Sequence, residues 1–137
     1  MRLFVHLPVF VAGAVILAGL AGCGSSKPAA PLAQFQPEIV SVQDNFEFQA
    51  TGLQNVSAVV EYTWANSGHQ ASIDHSSVVT GGTTSVQLFD ANGTQVYQSG
   101  LLASGTQQAD SGAIGEWMVR VTLDSCDGTL NFRAHAL

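Results

Sequence analysis

The chain has 137 residues, and its composition excludes several classes of protein. The first 22 residues are mostly apolar and hold one arginine. Without them, three lysine and arginine side chains face ten carboxylates, a net side-chain charge of −7. A nucleic-acid partner is therefore not expected, because binding phosphates requires a basic face. The remaining 115 residues are enough for one domain with one hydrophobic core.

The N-terminal segment, residues 1–22, has the features of a cleaved export signal. Arg2 precedes an apolar run over residues 9–20, and small residues follow the run. A removable signal peptide has an apolar core of about 7–15 residues, whereas a membrane-spanning helix needs about 20. Residues 3–21 are nearly all apolar. Length alone therefore leaves an uncleaved membrane anchor as the alternative.

The motif Leu20-Ala21-Gly22-Cys23 ends this apolar run and resembles the lipobox of bacterial lipoproteins. The resemblance implies that a signal peptidase recognises the first three residues and cleaves before Cys23, whose sulfur carries a diacylglycerol. Each buried methylene of an acyl chain contributes about 0.8 kcal/mol, so a durable anchor needs two or three chains. The next residue is Gly24 rather than aspartate, which in such lipoproteins implies the outer membrane.

Residues 23–37 are expected to form the lipidated cysteine and a flexible tether. The segment holds three prolines, several small residues and one lone charge. Such a composition cannot bury enough apolar area to offset the entropy cost of ordering. Docking of Leu32 and Phe35 on the domain is the alternative to a fully free tether.

From residue 38 to residue 137, apolar residues alternate with polar ones, which predicts an all-β domain. No stretch holds an apolar stripe with helical spacing over three turns. The alternation leaves one face of each strand apolar and one polar, as in antiparallel sheets with one solvated side. The clearest strand segments are 46–50, 56–64, 117–123 and 130–134.

Turn sequences separate the predicted strands. Residues 90–94 contain Asn-Gly, the strongest short hairpin signal, and residues 124–128 are expected to form a second hairpin turn. With further strands at 39–42, 70–79, 85–89 and 95–98, the total is about eight. We expect an antiparallel two-sheet sandwich of the jelly-roll or immunoglobulin type, because the apolar faces must cover one another.

The second half of the chain is similar in its spacing to the pre-peptidase C-terminal domains of secreted bacterial peptidases. The similarity rests on the segment 90–93 followed by the strand Gly115-Glu116-Trp117-Met118-Val119. It covers about 75 residues and implies a β-sandwich. It transfers no active site to this chain.

Aromatic residues supply the candidate binding surface. Phe89 and Tyr97 occupy the opposite phase from the apolar residues of the predicted Asn-Gly hairpin. An exposed aromatic pair there would suit contact with a sugar or a protein. Burial of both sides of the hairpin is the alternative. Trp64 and Trp117 lie on the apolar phase of their strands and are expected in the core.

The remaining cysteine and histidines are interpreted as structural. Cys126 is expected to be packed in a turn, with an intermolecular disulfide as the alternative, because neighbouring carboxylates disfavour a reactive thiolate. His69 and His75, with Asp74, are assigned to a surface strand. On one strand face the two histidines would lie about 20 Å apart, too far to share a zinc ion.

Oxygen ligands for calcium are also too few. Calcium takes six to eight oxygens, and each predicted turn offers only two Asp or Asn side chains, which are typical of turns in any case. The pairs are Asp90 with Asn92 and Asp124 with Asp127. No metal and no cofactor are assigned apart from the covalent lipid on Cys23.

The sequence favours a non-catalytic role. It contains no Gly-x-Ser-x-Gly nucleophile elbow, and the loop expected at residues 81–84 lacks the lysine of a phosphate-binding loop. The main hypothesis is a lipid-anchored cell-envelope protein that binds or supports another envelope component, a protein or a glycan. A carbohydrate- or peptide-binding adhesion module is the alternative. A small hydrolase is the third, and would show an acid pair or an acid and a histidine in a pocket, with displaced pKa values.

Overall fold

Seven antiparallel strands make up the domain. The computed structural model describes residues 31–102 and 104–137, and that part contains no α-helix. A short 3-10 helix, Ala33–Phe35, comes first. The strands are β1 (Glu38–Val42), β2 (Asn45–Asn66), β3 (Ala71–His75), β4 (Val78–Phe89), β5 (Gln95–Ser99), β6 (Gly105–Gln108) and β7 (Gly115–Ala136). The predicted all-β antiparallel class is confirmed.

Strand β7 lies at the centre of the sheet. It pairs with β2 along one side. Along the other side, residues 118–129 of β7 pair with β4 and residues 132–136 pair with β3. β1 adds to the first half of β2, and β6 adds to β3. β5 adds to β4. The first layer therefore holds β1, β3, β6, the first half of β2, the start of β4 and the second half of β7. The second layer holds β5 and the remaining parts of β2, β4 and β7.

The two layers belong to one hydrogen-bonded sheet that bends on itself. The β2–β7 register shifts between Ala50 and Ala58, and the β4–β7 register shifts between Val79 and Thr83. At this level all three strands contain residues with positive φ, and bulges of this kind bend strands. These residues are Gly52 and Asn55 in β2, Gly82 in β4, and Ser125 and Gly128 in β7.

Aromatic rings connect the two layers across the core. Phe46 and Phe48 from the first layer approach Tyr62 of the second layer, with ring centroids 5.8 and 5.9 Å apart. The predicted alternation is confirmed, because the apolar residues of β2 and β7 point into this core. The expected sandwich thus forms, although its two layers share three continuous strands.

The segment 124–128 is the bend of β7, so the hairpin predicted there is wrong. Asp127 Oδ1 accepts a hydrogen bond from the Asn55 backbone N–H at 2.8 Å. Ser57 Oγ accepts one from the Ser125 backbone N–H at 2.9 Å. Like a turn, a bend needs residues in the left-handed backbone conformation. It also needs side chains that accept hydrogen bonds from backbone N–H groups without a partner in the sheet. The same residue types therefore suit both structures.

The strand count differs from the expected eight for the same reason. Predicted strands 46–50 and 56–64 are one strand, β2, and 117–123 and 130–134 are one strand, β7. Residues 81–84, expected as a loop, lie inside β4. The predicted strand 70–79 is interrupted at Ser76 and Ser77, and β6 was not predicted, because its four exposed residues carry no apolar alternation.

The Asn-Gly hairpin is confirmed between β4 and β5. The Gly93 N–H donates to the Asp90 carbonyl at 2.9 Å, and Gly93 has a φ of 80°. The Asp90 carboxylate accepts backbone N–H groups from Asn92 and Thr94 through Oδ1 and from Ala113 through Oδ2. The hydrogen bonds from Ala113 and Thr94 hold the pKa of the Asp90 carboxyl below its usual 3.8. The pair Asp90 and Asn92 thus shapes the turn, as expected.

The folded domain extends further toward the N-terminus than predicted. Leu32, placed in the tether, is 1% exposed and belongs to the core, and Phe35 packs partly against the core. Their docking, the alternative interpretation, is the one observed. The domain therefore includes Leu32, and the boundary at residue 38 is wrong.

The tryptophans lie in the core as predicted. Trp64 and Trp117 meet edge to face, with centroids 5.8 Å apart and planes at 79°. Trp117 Nε1 donates to the Ala113 carbonyl at 2.7 Å. Trp64 Nε1 is buried and has no acceptor within the described part of the chain. The two indoles therefore differ in hydrogen bonding while sharing one environment.

Replacing Gly82 by alanine tests the bend. A Cβ at Gly82 would collide with the backbone oxygens of Asp124 and Ser125, whereas a Cβ at Gly93 would meet open space. Both glycines have positive φ, so Gly93→Ala should cost about 1–2 kcal/mol from backbone strain alone. Gly82→Ala should reduce the free energy of unfolding by more than Gly93→Ala in urea titrations. Equal losses would contradict the packed bend.

Replacing each tryptophan by phenylalanine tests the asymmetry of the pair. Both changes remove similar apolar volume, but Trp117→Phe also removes the 2.7 Å hydrogen bond to the Ala113 carbonyl, which keeps only a 3.4 Å contact from the Ala91 N–H. A hydrogen bond of this kind contributes about 0.5–1.5 kcal/mol. Thermal unfolding should therefore show a lower Tm for Trp117→Phe than for Trp64→Phe. The reverse order would mean that the Trp117 bond contributes nothing.

Candidate functional site

The predicted aromatic patch does not form, because Tyr97 is buried. Tyr97 is 8% exposed and Val96 is 4% exposed, although they are consecutive in β5. A bulge causes this, since Leu88 pairs with Tyr97 and Phe89 pairs with Gln95, which leaves Val96 as the extra residue. The expectation that Phe89 and Tyr97 are exposed together is therefore wrong.

Phe89 is half-buried on the outer face of the second layer. The guanidinium of Arg120 lies 4.8 Å from the centre of its ring, a cation–π contact. Arg120 Nε also binds Glu61 Oε1 at 2.7 Å. One face of the ring is thus covered by an ion-paired arginine.

Tyr97 instead forms a polar link with His75 across the core. Its hydroxyl donates to Gln107 Oε1 at 2.8 Å and lies 2.5 Å from His75 Nε2. Because the hydroxyl proton is used toward Gln107, Nε2 of His75 carries the proton that the hydroxyl accepts. The link joins β3 and β6 of the first layer to β5 of the second.

His75 is therefore buried, and its assignment to a surface strand is wrong. It is 4% exposed, and its Nδ1 has no partner in the part of the chain that the structure describes. Burial lowers the pKa of His75 below its usual 6.5, and the charge of Asp74 opposes this shift. At neutral pH the ring is uncharged, with an unpaired acceptor at Nδ1.

A polar cleft of about 330 Å³ lies on the outer face of the first layer, over β3 and the second half of β7. This volume is at the lower end of the range for ligand pockets, about 300–1,000 Å³. The cleft is lined by Asp74, His75, Ser76, Asn131, Arg133 and His135. It is the candidate functional site of the domain.

The charged side chains of the cleft belong to one row across the first layer. Glu47 of β2, Arg133 of β7 and Asp74 of β3 are cross-strand neighbours, and Thr106 of β6 follows Asp74. Arg133 Nε lies 3.6 Å from Glu47 Oε2, and Thr106 Oγ1 donates to Asp74 Oδ1 at 2.5 Å. Asp74 itself forms no ion pair with a described residue.

Sequence reasoning missed most of these residues. Of these residues, only Asp74 and His75 were assigned to a cluster, which they formed with His69 as possible zinc ligands, and neither was placed in a cleft. A signal existed, because Asn131, Arg133 and His135 alternate with the buried residues of the last strand and so share its outer face. What the sequence lacked was the pairing of this strand with β3.

His69 is not brought together with Asp74 and His75. His69 lies outside β3, and its Nδ1 donates to the Gly112 carbonyl at 3.2 Å. Within residues 31–102 and 104–137, no group of three or more His, Cys, Asp or Glu side chains is arranged to hold a metal ion.

Cys126 is fully buried in the bend of β7. It is a free thiol with 0% exposure. Burial, with a smaller effect of the Asp127 charge, raises the pKa of the Cys126 thiol above its usual 9.0. The packed interpretation is confirmed, although Cys126 lies in a strand bend and not in a hairpin turn. A thiol with no exposed surface cannot form the alternative intermolecular disulfide without local unfolding.

The lipidation residues lie outside the described part of the chain. Leu20, Ala21, Gly22 and Cys23 precede residue 31, so the predicted cleavage and acylation remain predictions. No helix in the described part is long and apolar enough to cross a membrane.

No protein-family description matches this chain. No curated protein sequence is significantly similar to it.

The buried histidine should make stability depend on pH. Because the pKa of His75 is lower in the folded state, the unfolded chain binds more protons below about pH 6.5. The free energy of unfolding should therefore fall as the pH drops from 7 toward 5, by at most about 1.4 kcal/mol per pH unit for one proton.

Urea titrations of the purified protein between pH 5 and pH 8 measure this dependence. In His75→Gln, which keeps a polar partner for Tyr97, the slope over this range should flatten. His69→Gln, at an exposed histidine, is the matched control and should keep the slope of the unmodified protein. An unchanged slope in His75→Gln would show that His75 does not titrate as inferred.

Proposed function

We propose that this chain is a bacterial envelope lipoprotein whose small β-domain binds a ligand without catalysis. The observation that carries the anchoring is the lipobox-like Leu20-Ala21-Gly22-Cys23 directly after the apolar run. The acylated Cys23 would hold the domain at the membrane. Gly24 in place of aspartate favours the outer membrane, by the resemblance to lipoproteins.

The early start of the folded domain supports this arrangement. Leu32 is in the core, so eight residues separate it from Cys23. At about 3.3 Å per residue, the nine steps from Cys23 to Leu32 span no more than about 30 Å. The domain would therefore stay close to the membrane that holds the lipid. The ten carboxylates and two arginines of the described residues give it a net side-chain charge of −8, which opposes adsorption to anionic headgroups.

The polar cleft supports a binding role. It collects hydrogen-bonding groups of several kinds in one concave site on the outer face of the first layer. The alternative hypothesis, a carbohydrate- or peptide-binding adhesion module, would use the same cleft, because the aromatic patch predicted at Phe89 and Tyr97 does not form. The ligand would be a component of the envelope, and the one group expected to be attached to the chain is the lipid on Cys23.

The cleft also has one feature of a hydrolase, namely an acid beside a histidine of displaced pKa. The geometry favours binding over hydrolysis. His75 directs Nε2 to Tyr97, and the hydroxyl of Ser76 forms no hydrogen bond with a histidine of the described residues. A serine nucleophile needs such a base within about 3 Å. Cys126, the other nucleophile, is buried with a raised pKa.

Acylation is tested by Cys23→Ala in a bacterium with an outer membrane. The unmodified protein should incorporate a fatty-acid analogue, and its intact mass should correspond to loss of residues 1–22 plus the acyl groups. Cys23→Ala should remain unlabelled and unprocessed. Cys126→Ala, at the other cysteine, is the control and should label normally. Equal labelling of the unmodified protein and Cys23→Ala, or a native mass that includes residues 1–22, would refute the proposal.

A further inference from the structure

Two opposite charges in the cleft are neighbours and yet remain apart. Arg133 and Asp74 are cross-strand partners, a placement in which opposite charges ordinarily attract each other. Here Arg133 leans toward Glu47 on one side, and Asp74 is held by Thr106 on the other. The cleft lies beside both residues. It therefore presents a guanidinium and a carboxylate to the same small volume.

Both groups keep free hydrogen-bonding capacity. The contact between Arg133 and Glu47 uses Nε at 3.6 Å. Neither Nη group has a hydrogen-bond partner among the described residues, so the two can bind a carboxylate in a bidentate manner. The side chain of Arg133 is 55% exposed. Asp74 uses Oδ1 for Thr106, which leaves Oδ2 as an acceptor.

We propose that this cleft binds a zwitterion, either a free amino acid or a dipeptide. The ligand carboxylate would bind Arg133 and its ammonium would bind Asp74. Asn131 and Ser76 supply neutral donors and acceptors for an adjacent amide. This inference rests on the proposed binding role and gives it a ligand class.

Charge selects a zwitterion over a simple ion. A plain anion would meet Arg133 but also the neighbouring carboxylates Glu47 and Asp74, within a domain of net side-chain charge −8. A plain cation would be attracted by the carboxylate of Asp74 but repelled by the guanidinium of Arg133. A zwitterion complements both groups, and repulsion of the wrong charge adds to its selection.

The core holds the acidic side of the cleft in place. Asp74 and Ser76 flank His75, whose ring is fixed by the Tyr97 hydroxyl behind the sheet. The Ser76 N–H donates to the Asn131 carbonyl at 3.0 Å, which fastens the end of β3 to β7. A site held in this way loses little entropy when a ligand binds.

Titration calorimetry with the purified full-length protein in detergent tests the proposal through the ligand. The probes are alanine and alanylalanine, and two blocked forms, N-acetyl-alanylalanine without the ammonium and alanylalanine amide without the carboxylate. Alanine or alanylalanine should bind, and each blocked form should bind at least tenfold more weakly than alanylalanine. Absence of binding by both free probes, or equal binding of free and blocked forms, would overturn the inference.

Variants test which residue meets which end. Asp74→Asn keeps an acceptor for Thr106 and should weaken alanylalanine binding at least tenfold, while it removes the distinction between free and N-acetylated peptide. Arg133→Gln should weaken binding equally, while it removes the distinction between free peptide and amide. The assignment would be contradicted if Asp74→Asn removed the distinction between free peptide and amide. It would also be contradicted if Arg133→Gln removed the distinction between free and N-acetylated peptide. The comparison of free and blocked peptides uses the unmodified protein, so it does not depend on whether a variant folds.

Arg120→Gln is the matched control, because Arg120 also points outward from β7 and pairs with a glutamate of β2. It should leave binding unchanged, and an equal loss would count against the cleft. Acyl mass is measured on the same preparation. Acylation without binding overturns this inference alone, whereas binding without acylation overturns the proposed anchoring.

Discussion

The simultaneous bend of three neighbouring strands is the constraint on which the domain depends. A straight strand of 22 residues would extend roughly 70 Å at about 3.3 Å per residue, and its apolar face would lie uncovered. Bending β2, β4 and β7 at one level folds that face onto itself and encloses the aromatic core. The left-handed residues and bulges at this level allow the bend, and Asp127 and Ser57 satisfy backbone groups that the bulges release.

The bend also gives the two outer faces related but unequal surfaces. Each half of β7 carries one outward arginine beside a glutamate of β2, Arg120 with Glu61 and Arg133 with Glu47. Arg120 is bound through Nε at 2.7 Å and packs over Phe89, so its guanidinium is held in place and one of its faces is covered. Arg133 has only a 3.6 Å contact and opens to a cleft. This difference locates the candidate site on the first layer.

A polar link inside the core connects the layers at the same end of the sheet. Tyr97 of the second layer binds His75 and Gln107 of the first, and the opposite side of β3 lines the cleft. Core and site are therefore coupled through one histidine. A change that disturbs the Tyr97 contact should reach Asp74 and Ser76 before it reaches the rest of the surface.

The sequence by itself determined the strand class, the inward face of each strand, the Asn-Gly hairpin and the core position of both tryptophans, since these depend on local alternation and turn chemistry. It could not distinguish a bend at residues 124–128 from a turn, because both need left-handed residues and capping side chains. Only the tertiary structure decided that a one-residue bulge buries Tyr97, that Leu32 joins the core, and that Asp74 meets Arg133 across β3 and β7. These contacts depend on the register between strands that are distant in sequence. The alternation of apolar and polar residues along the chain does not specify that register.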